Sequence, residues 1–149
     1  GLLSMIEQAT EMGFIDPQRL AITGLSQGGH GTIALASAHP EMFVAAAPVC
    51  GYVERRFDDN KLRREATTAT PEDPAVVTVA EKLAAMPVWL FHGDSDTVVS
   101  VTESRSLHKA LTKLDATVKY TEVPDTGHNS WDAAYADADL AAWFREHTR

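Results

Sequence analysis

An α/β fold, with a mostly parallel sheet of about four strands flanked by helices, is predicted by three features of the sequence. Amphipathic segments at helical spacing alternate with short apolar runs along the whole chain. Each parallel neighbour in a sheet needs a crossover connection, usually a helix, so this alternation argues a parallel sheet. The apolar runs are continuous rather than alternating, as befits strands covered on both faces. With 149 residues, 44% of them hydrophobic and 23% charged, the chain has material for one core and not for two.

Leu2, Leu3, Ile6, Ala9 and Met12 recur at helical spacing, with Ser4, Glu7, Gln8 and Glu11 between them, until Gly13 stops the pattern. After the turn Asp16-Pro17-Gln18, the run Arg19 to Leu25 is short, mostly apolar and bounded by breakers, which predicts a strand covered on both faces. Gly28 to His39 is rich in Ala and other small residues and stops before Pro40; it reads as a helix packed closely on a sheet. Phe43 to Val49 is a second strand, with Pro48 placing its end. From Cys50 to Pro74 no apolar period persists. Residues 51–74 form a charged excursion over the strand ends, read as a lid, with a solvated loop as the plainer alternative. Ala75 to Ala85 is helical, Met86 to His92 a third buried strand, and Ser100 to Leu114 a helix through Val101, Ser104, Leu107, Leu111 and Leu114. Ala116 to Val123 alternates as a fourth strand, Pro124 to Ser130 is a loop, and Ala136 to His147 closes the chain as a helix.

Composition narrows the function. Thirteen Lys and Arg against twenty-one Asp and Glu leave a formal charge of −8, the wrong sign for a protein that binds by neutralising phosphates, so nucleic acid is not an expected partner. No apolar run has the length of a membrane span, and Glu7 stands where a secretory signal would want an apolar centre, so no membrane partner is expected either. The lone Cys50 excludes an internal disulfide and any cysteine-rich metal site, and fits a reducing, cytoplasmic setting. No cofactor is called for.

In open parallel sheets chemistry gathers beyond the carboxyl ends of the strands. The segments after the four predicted strands hold Ser26, Cys50, Asp94, Asp96 and His128. Gly24-Leu25-Ser26-Gln27-Gly28 is a G-x-S-x-G pentapeptide between a predicted strand and a predicted helix, the setting that makes this motif informative. A serine on so sharp a turn is strained, and the residues two before and two after it must lack bulk for strand and helix to approach. The Gln27 amide and the helix amino terminus would then lie where an oxyanion forms.

A serine hydroxyl needs a base, and the base needs a group that orients it. Of six histidines, His39, His108 and His147 fall within or at the ends of predicted helices, and His30 points along the helix after Ser26. His92 ends a buried strand and reads as a residue that orients the following loop. His128 sits in a loop after the last strand, free to swing toward Ser26, and is the favoured base. Asp94 and Asp96 share the loop after the third strand. Asp96 comes later, nearer the histidine loop, and is favoured as the orienting carboxylate; Asp94 reads as a turn residue bonded to its own backbone, and Asp125 is a weaker alternative. Asp94, Asp96 and His128 as a metal site lack a second histidine at ligand spacing, so no metal is expected.

Gly-Leu-Ser-Gln-Gly-Gly, His-Gly-Asp-Ser-Asp-Thr-Val-Val and Gly-His-Asn-Ser-Trp, in that order, resemble the carboxyl-terminal catalytic half of an α/β-hydrolase, nearest to the esterase, dienelactone-hydrolase and predicted-peptidase branches. The resemblance implies Ser26 as nucleophile, His128 as general base and then acid, Asp96 as its partner, and the Gln27 amide as one oxyanion donor. It implies a serine carboxylesterase acting on small, short-chain acyl esters through an acyl-enzyme; a peptidase or lactone hydrolase using the same residues, and a non-catalytic fragment, are the alternatives. Such a sheet normally has eight strands, of which this chain supplies those like the last four, as a single truncated, minimal domain over residues 1–149. The second oxyanion donor belongs to the part not matched, and its loss would cost about a hundredfold or more in rate. The strand at residues 19–25 would then be a bare apolar edge, which predicts a homo-oligomer paired through it; a longer polypeptide is the alternative. Cys50 and Tyr52, after the second strand, and Trp131, just past His128, are candidate walls of the substrate pocket, against plainer readings of Cys50 as a buried thiol and Trp131 as a packing aromatic.

Overall fold

A computed structural model describes residues 1–54 and 69–147. The described elements run in the order α1 (Leu2–Glu11), a 3-10 turn (Pro17–Arg19), β1 (Ala21–Leu25), α2 (Gln27–Ala38), β2 (Ala45–Val49), α3 (Pro74–Leu83), β3 (Val88–Gly93), α4 (Thr102–Lys113), β4 (Val118–Val123), α5 (Trp131–Ala136) and α6 (Ala138–Glu146). All strands are parallel and their spatial order is β1-β2-β3-β4, so each crossover leads to the adjacent strand. This is the predicted fold class.

The central strands are apolar throughout because both of their faces are covered. On one face Ala46, Val88 and Leu90 meet Ile33 and Ala36 of α2, Val76, Ala80 and Leu83 of α3, and Leu107, Ala110 and Leu111 of α4. On the other face the alternate residues Ala45, Ala47, Val49, Trp89 and Phe91 meet Ala134 of α5 and Leu140 and Trp143 of α6. The period-2 alternation of a strand is present but hidden, since both sets of side chains are buried.

Four details depart from the sequence expectations. β1 is not covered on both faces: none of its residues is buried, whereas every residue of β2 and β3 is, because among the described residues β1 is an edge strand paired with β2 alone. It starts at Ala21 rather than Arg19, since Pro17 opens a 3-10 turn capped by the Asp16 carboxylate on the Gln18 amide. Pro48 does not end β2 but interrupts its ladder: Ala46 and Cys50 donate to Pro87 and Phe91 on the β3 side, and Pro48, between them, has no N–H to give. The final helix is present as α6, started at Asp137 by its extended backbone and its side-chain bond to the Asp139 amide, but a separate short helix, α5, precedes it where none was expected. Most of the proposed lid, residues 55–68, lies outside the described residues. Among the described residues no helix is long and apolar enough to cross a membrane.

Candidate active site

The carboxyl ends of β1, β2, β3 and β4 open onto one rim, and the sequence-selected residues converge there. Ser26 links β1 to α2 with φ 54° and ψ −115°, a region that side chains rarely occupy. Its amide donates to Val49 O at 2.9 Å and its carbonyl accepts from the His30 amide at 3.0 Å, so the turn is pinned from both sides. Strand and helix approach so closely that a Cβ on Gly24 would collide with the Gly28 carbonyl. On the helix side the residue that must lack bulk is Gly29 and not Gly28. A Cβ on Gly29 would come within 2.6 Å of Val49 O and 2.9 Å of Gly51 Cα, while one on Gly28 meets nothing within 4 Å.

His128 arrives on the loop after β4. Its Nε2 is 2.8 Å from Ser26 Oγ and its Nδ1 2.8 Å from Asp96 Oδ2. The carboxylate has only acceptors to offer, so Nδ1 carries the proton and Nε2 faces the serine hydroxyl with a lone pair. A proton can therefore pass from Ser26 to His128 without any rotation of the ring. The imidazole is 19% exposed on its side chain and Asp96 not at all, so the ring is reachable from solvent while its partner is sealed.

Burial of Asp96 works against its charge, but hydrogen bonds from His92, His128 and the amides of Val98 and Val99 outweigh it and hold the carboxyl at about 2. The Val98 and Val99 amides bind Oδ1 at 2.8 and 2.9 Å. Asp96 is thus a fixed anion over the whole working pH range of a serine hydrolase. Asp94 is not bonded to its own backbone as the sequence suggested. Its Oδ1 takes the Ser95 hydroxyl at 2.8 Å and, across the loops, the Thr126 amide at 3.4 Å, tying the Asp96 loop to the His128 loop. Asp125, the weaker alternative partner, adopts φ 52° in the turn leading to His128.

Gln27 is the first residue of α2, where backbone N–H groups have no intrahelical acceptor. Cys50 is fully buried beside the site with φ 40°, and burial pushes its thiol up from the ordinary cysteine value. Tyr52 stacks on His30 with ring centroids 4.6 Å apart and 6° between planes, and its carbonyl bonds His30 Nδ1 at 3.0 Å. His30 therefore turns toward the segment after β2 instead of pointing along its helix. Trp131 stands edge-on to His128, 5.5 Å between centroids. His92 does orient the following loop, through Val99 O at 3.1 Å, but it also reaches Asp96 Oδ2 at 3.2 Å. That second contact escaped the sequence reading, because four-residue spacing brings side chains together on a helix and not from a strand end into a loop.

Among the described residues one group has metal-ligand chemistry, Cys50, Asp96 and His128, with ligand atoms within 4.8 Å of one another. Its atoms are committed otherwise: His128 Nδ1 and Asp96 Oδ2 bond each other, and the buried thiol is held toward its neutral form. The donor set suits proton transfer better than a cation.

Comparison with known proteins agrees with the fold. An uncharacterized secreted protein of Arthroderma benhamiae is 32% identical over 139 residues, covering 88% of this chain and 15% of that protein. Dipeptidyl peptidase 4 of Sus scrofa is 33% identical over 123 residues, covering 76% of this chain and 16% of the relative. The chain thus spans 15–16% of the length of these curated relatives. A thermostable esterase of known structure matches with a TM-score of 0.81 at 30% identity, covering 99% of this chain and 36% of that one. The family model that matches spans residues 2–149, both loops that meet at Asp96 and His128 included. On that match the chain belongs to the prolyl oligopeptidase family, a serine-hydrolase branch of the α/β-hydrolases.

Proposed function

We propose that this chain carries the nucleophile, base and orienting acid of a serine carboxylesterase that hydrolyses small, short-chain acyl esters. Ser26 Oγ attacks the acyl carbonyl as its proton moves to His128 Nε2; the resulting imidazolium is stabilised by Asp96. The tetrahedral oxyanion is met by the Gln27 amide at the start of α2. His128 then gives its proton to the departing alkoxide oxygen, leaving acyl-Ser26, and a water activated by the same nitrogen releases the acid and restores the serine. The observation that supports this reading is the unbroken Ser26–His128–Asp96 relay at 2.8 and 2.8 Å, set on a strained elbow at the strand ends. Cys50, Tyr52 and Trp131 are the proposed floor and walls of the acyl site.

Likeness to a dipeptidyl peptidase favours a second reading, hydrolysis of a peptide bond by the same residues. The two differ in leaving group and not in machinery. The test compares p-nitrophenyl acetate and butyrate with a dipeptidyl p-nitroanilide, for the chain and for Ser26→Ala, with fluorophosphonate labelling read by mass spectrometry. Ester turnover lost in Ser26→Ala, with one label on Ser26, supports the esterase. Turnover of the anilide alone selects the peptidase, and equal backgrounds with no label overturn both.

A further inference from the structure

Two imidazoles, not one, approach Asp96: His128 by a hydrogen bond and His92 at 3.2 Å. His92 lies wholly inside the protein on β3, with Nε2 3.2 Å from Asp96 Oδ2 and 3.1 Å from Val99 O. Both neighbours are acceptors without a proton to give, so Nε2 carries one. On the opposite side of the ring Nδ1 lies 2.7 Å from Ser104 Oγ, a buried hydroxyl on α4. Where Nδ1 accepts from Ser104, the hydroxyl selects the tautomer that keeps the proton on Nε2, between Val99 O and Asp96. The Asp96 carboxylate then takes hydrogen bonds from two amides on Oδ1 and from His128 on Oδ2, with His92 Nε2 3.2 Å from the same Oδ2.

We propose that His92 is a positioning residue that acts through Asp96, fixing the carboxylate in the plane of the His128 ring and drawing charge from the oxygen that His128 shares. This rests on the reading of Ser26, His128 and Asp96 as the catalytic relay. A polarised N–H 3.2 Å from Oδ2 weakens what that oxygen offers His128, because the charge of one anionic oxygen is divided between two neighbours. His92 therefore limits how much of the Oδ2 charge reaches His128.

The surrounding charges leave His92 the main lever. Glu122 on β4 is the register neighbour of His92 and is held at about 2, chiefly by the Arg105 guanidinium, with Tyr120 adding a further hydrogen bond. Glu103 of α4 is buried and accepts the Val53 amide at 3.1 Å, and the Cys50 thiol after β2 is pushed toward its neutral form. Asp94 and Asp125 stand in the two loops, with Asp94 bonded to Ser95 and Thr126. Of the described side chains, His92 and His128 are those with a ring nitrogen within 3.2 Å of Asp96 Oδ2.

The test follows the His128 imidazole by NMR with labelled histidine in Ser26→Ala protein, where turnover plays no part, and compares His92→Gln and His92→Met. Gln keeps an N–H donor near the Nε2 position and Met removes it. The His128 titration midpoint is expected to rise by about half to one pH unit in His92→Met and to hold in His92→Gln. Ser104→Ala, which frees the tautomer, moves it the same way by less. With Ser26 present, the acid limb of kcat/KM on p-nitrophenyl acetate moves up with the midpoint. An unmoved midpoint in folded His92→Met, or equal shifts in Met and Gln, overturns the proposal. If His92→Met does not fold, an unmoved midpoint in Ser104→Ala does so. Absence of ester turnover in the unsubstituted chain would instead count against the catalytic reading, while the NMR midpoints would still decide the role of His92.

Discussion

Ser26 holds a backbone conformation that suits glycine, and the cost is borne by the bonds that pin its amide and carbonyl. Strain of this kind costs on the order of 1–3 kcal/mol and persists where the surrounding structure over-determines it. Ser26→Gly is therefore expected to raise the midpoint of thermal unfolding while lowering ester turnover by about a millionfold; a variant less stable than the parent would show that the elbow is unstrained. Asp96 carries a second prediction, in pH. Its carboxyl is held at about 2, below the ordinary 3.8, so its contribution is full above the ordinary value and is lost as pH falls through about 2. A depression of that size corresponds to about 2 kcal/mol. Denaturant titrations at pH 6, 4 and 2 should find Asp96→Asn less stable than the parent by about this amount at pH 6, the gap closing toward pH 2. A gap that stays constant with pH would mean that Asp96 acts by packing and not by charge.

Among the elements, α2 shows how small residues serve the site. The helix lies so close to β1 and β2 that Gly29 abuts Val49 O and Gly51, and this contact carries the elbow against the start of the Cys50–Tyr52 segment. Gly29→Ala must push backbone apart and is expected to cost about 1–3 kcal/mol by chemical denaturation and to weaken turnover with it. Gly28→Ala, with open space at its Cβ, should change stability by less than about 1 kcal/mol. Equal losses in the two would refute the close-approach account. The excursion after β2 is anchored at its described beginning by the His30–Tyr52 stack and by the Glu103 carboxylate on the Val53 amide.

At the scale of the whole molecule the uneven burial is the main fact. β2 and β3 are sealed on both faces, whereas β1 has no further strand beside its outer edge among the described residues, and α1 has no buried residue, with Leu2 and Met5 on it and Met12 and Phe14 just after it exposed. An open parallel edge beside apolar side chains is a template for another strand. We propose that this edge pairs with a second copy of the chain, as the sequence led one to expect for residues 19–25. Sedimentation over a range of concentrations should show self-association, reduced by Thr23→Lys, which places a charge on the edge. A monomer at every concentration would end that reading.

The sequence by itself determined the element types, the parallel class of the sheet and the residues that meet at its rim. Period and breaker residues are local signals, and Ser26, Asp96 and His128 each stand in the segment that follows an apolar run that had to be a strand. Tertiary structure alone decided the rest. It left every residue of β1, a strand whose motifs had already placed it at an edge, short of the burial its apolar run suggests, because face coverage depends on where distant helices pack. Gly29 replaced Gly28 as the residue of closest approach, since the partner atoms, Val49 and Gly51, lie more than a helix away in the chain. His92 joined His128 on one carboxylate oxygen for the same reason: hydrogen-bond sharing depends on where β3 and the His128 loop come together, and no periodicity in a chain records that meeting.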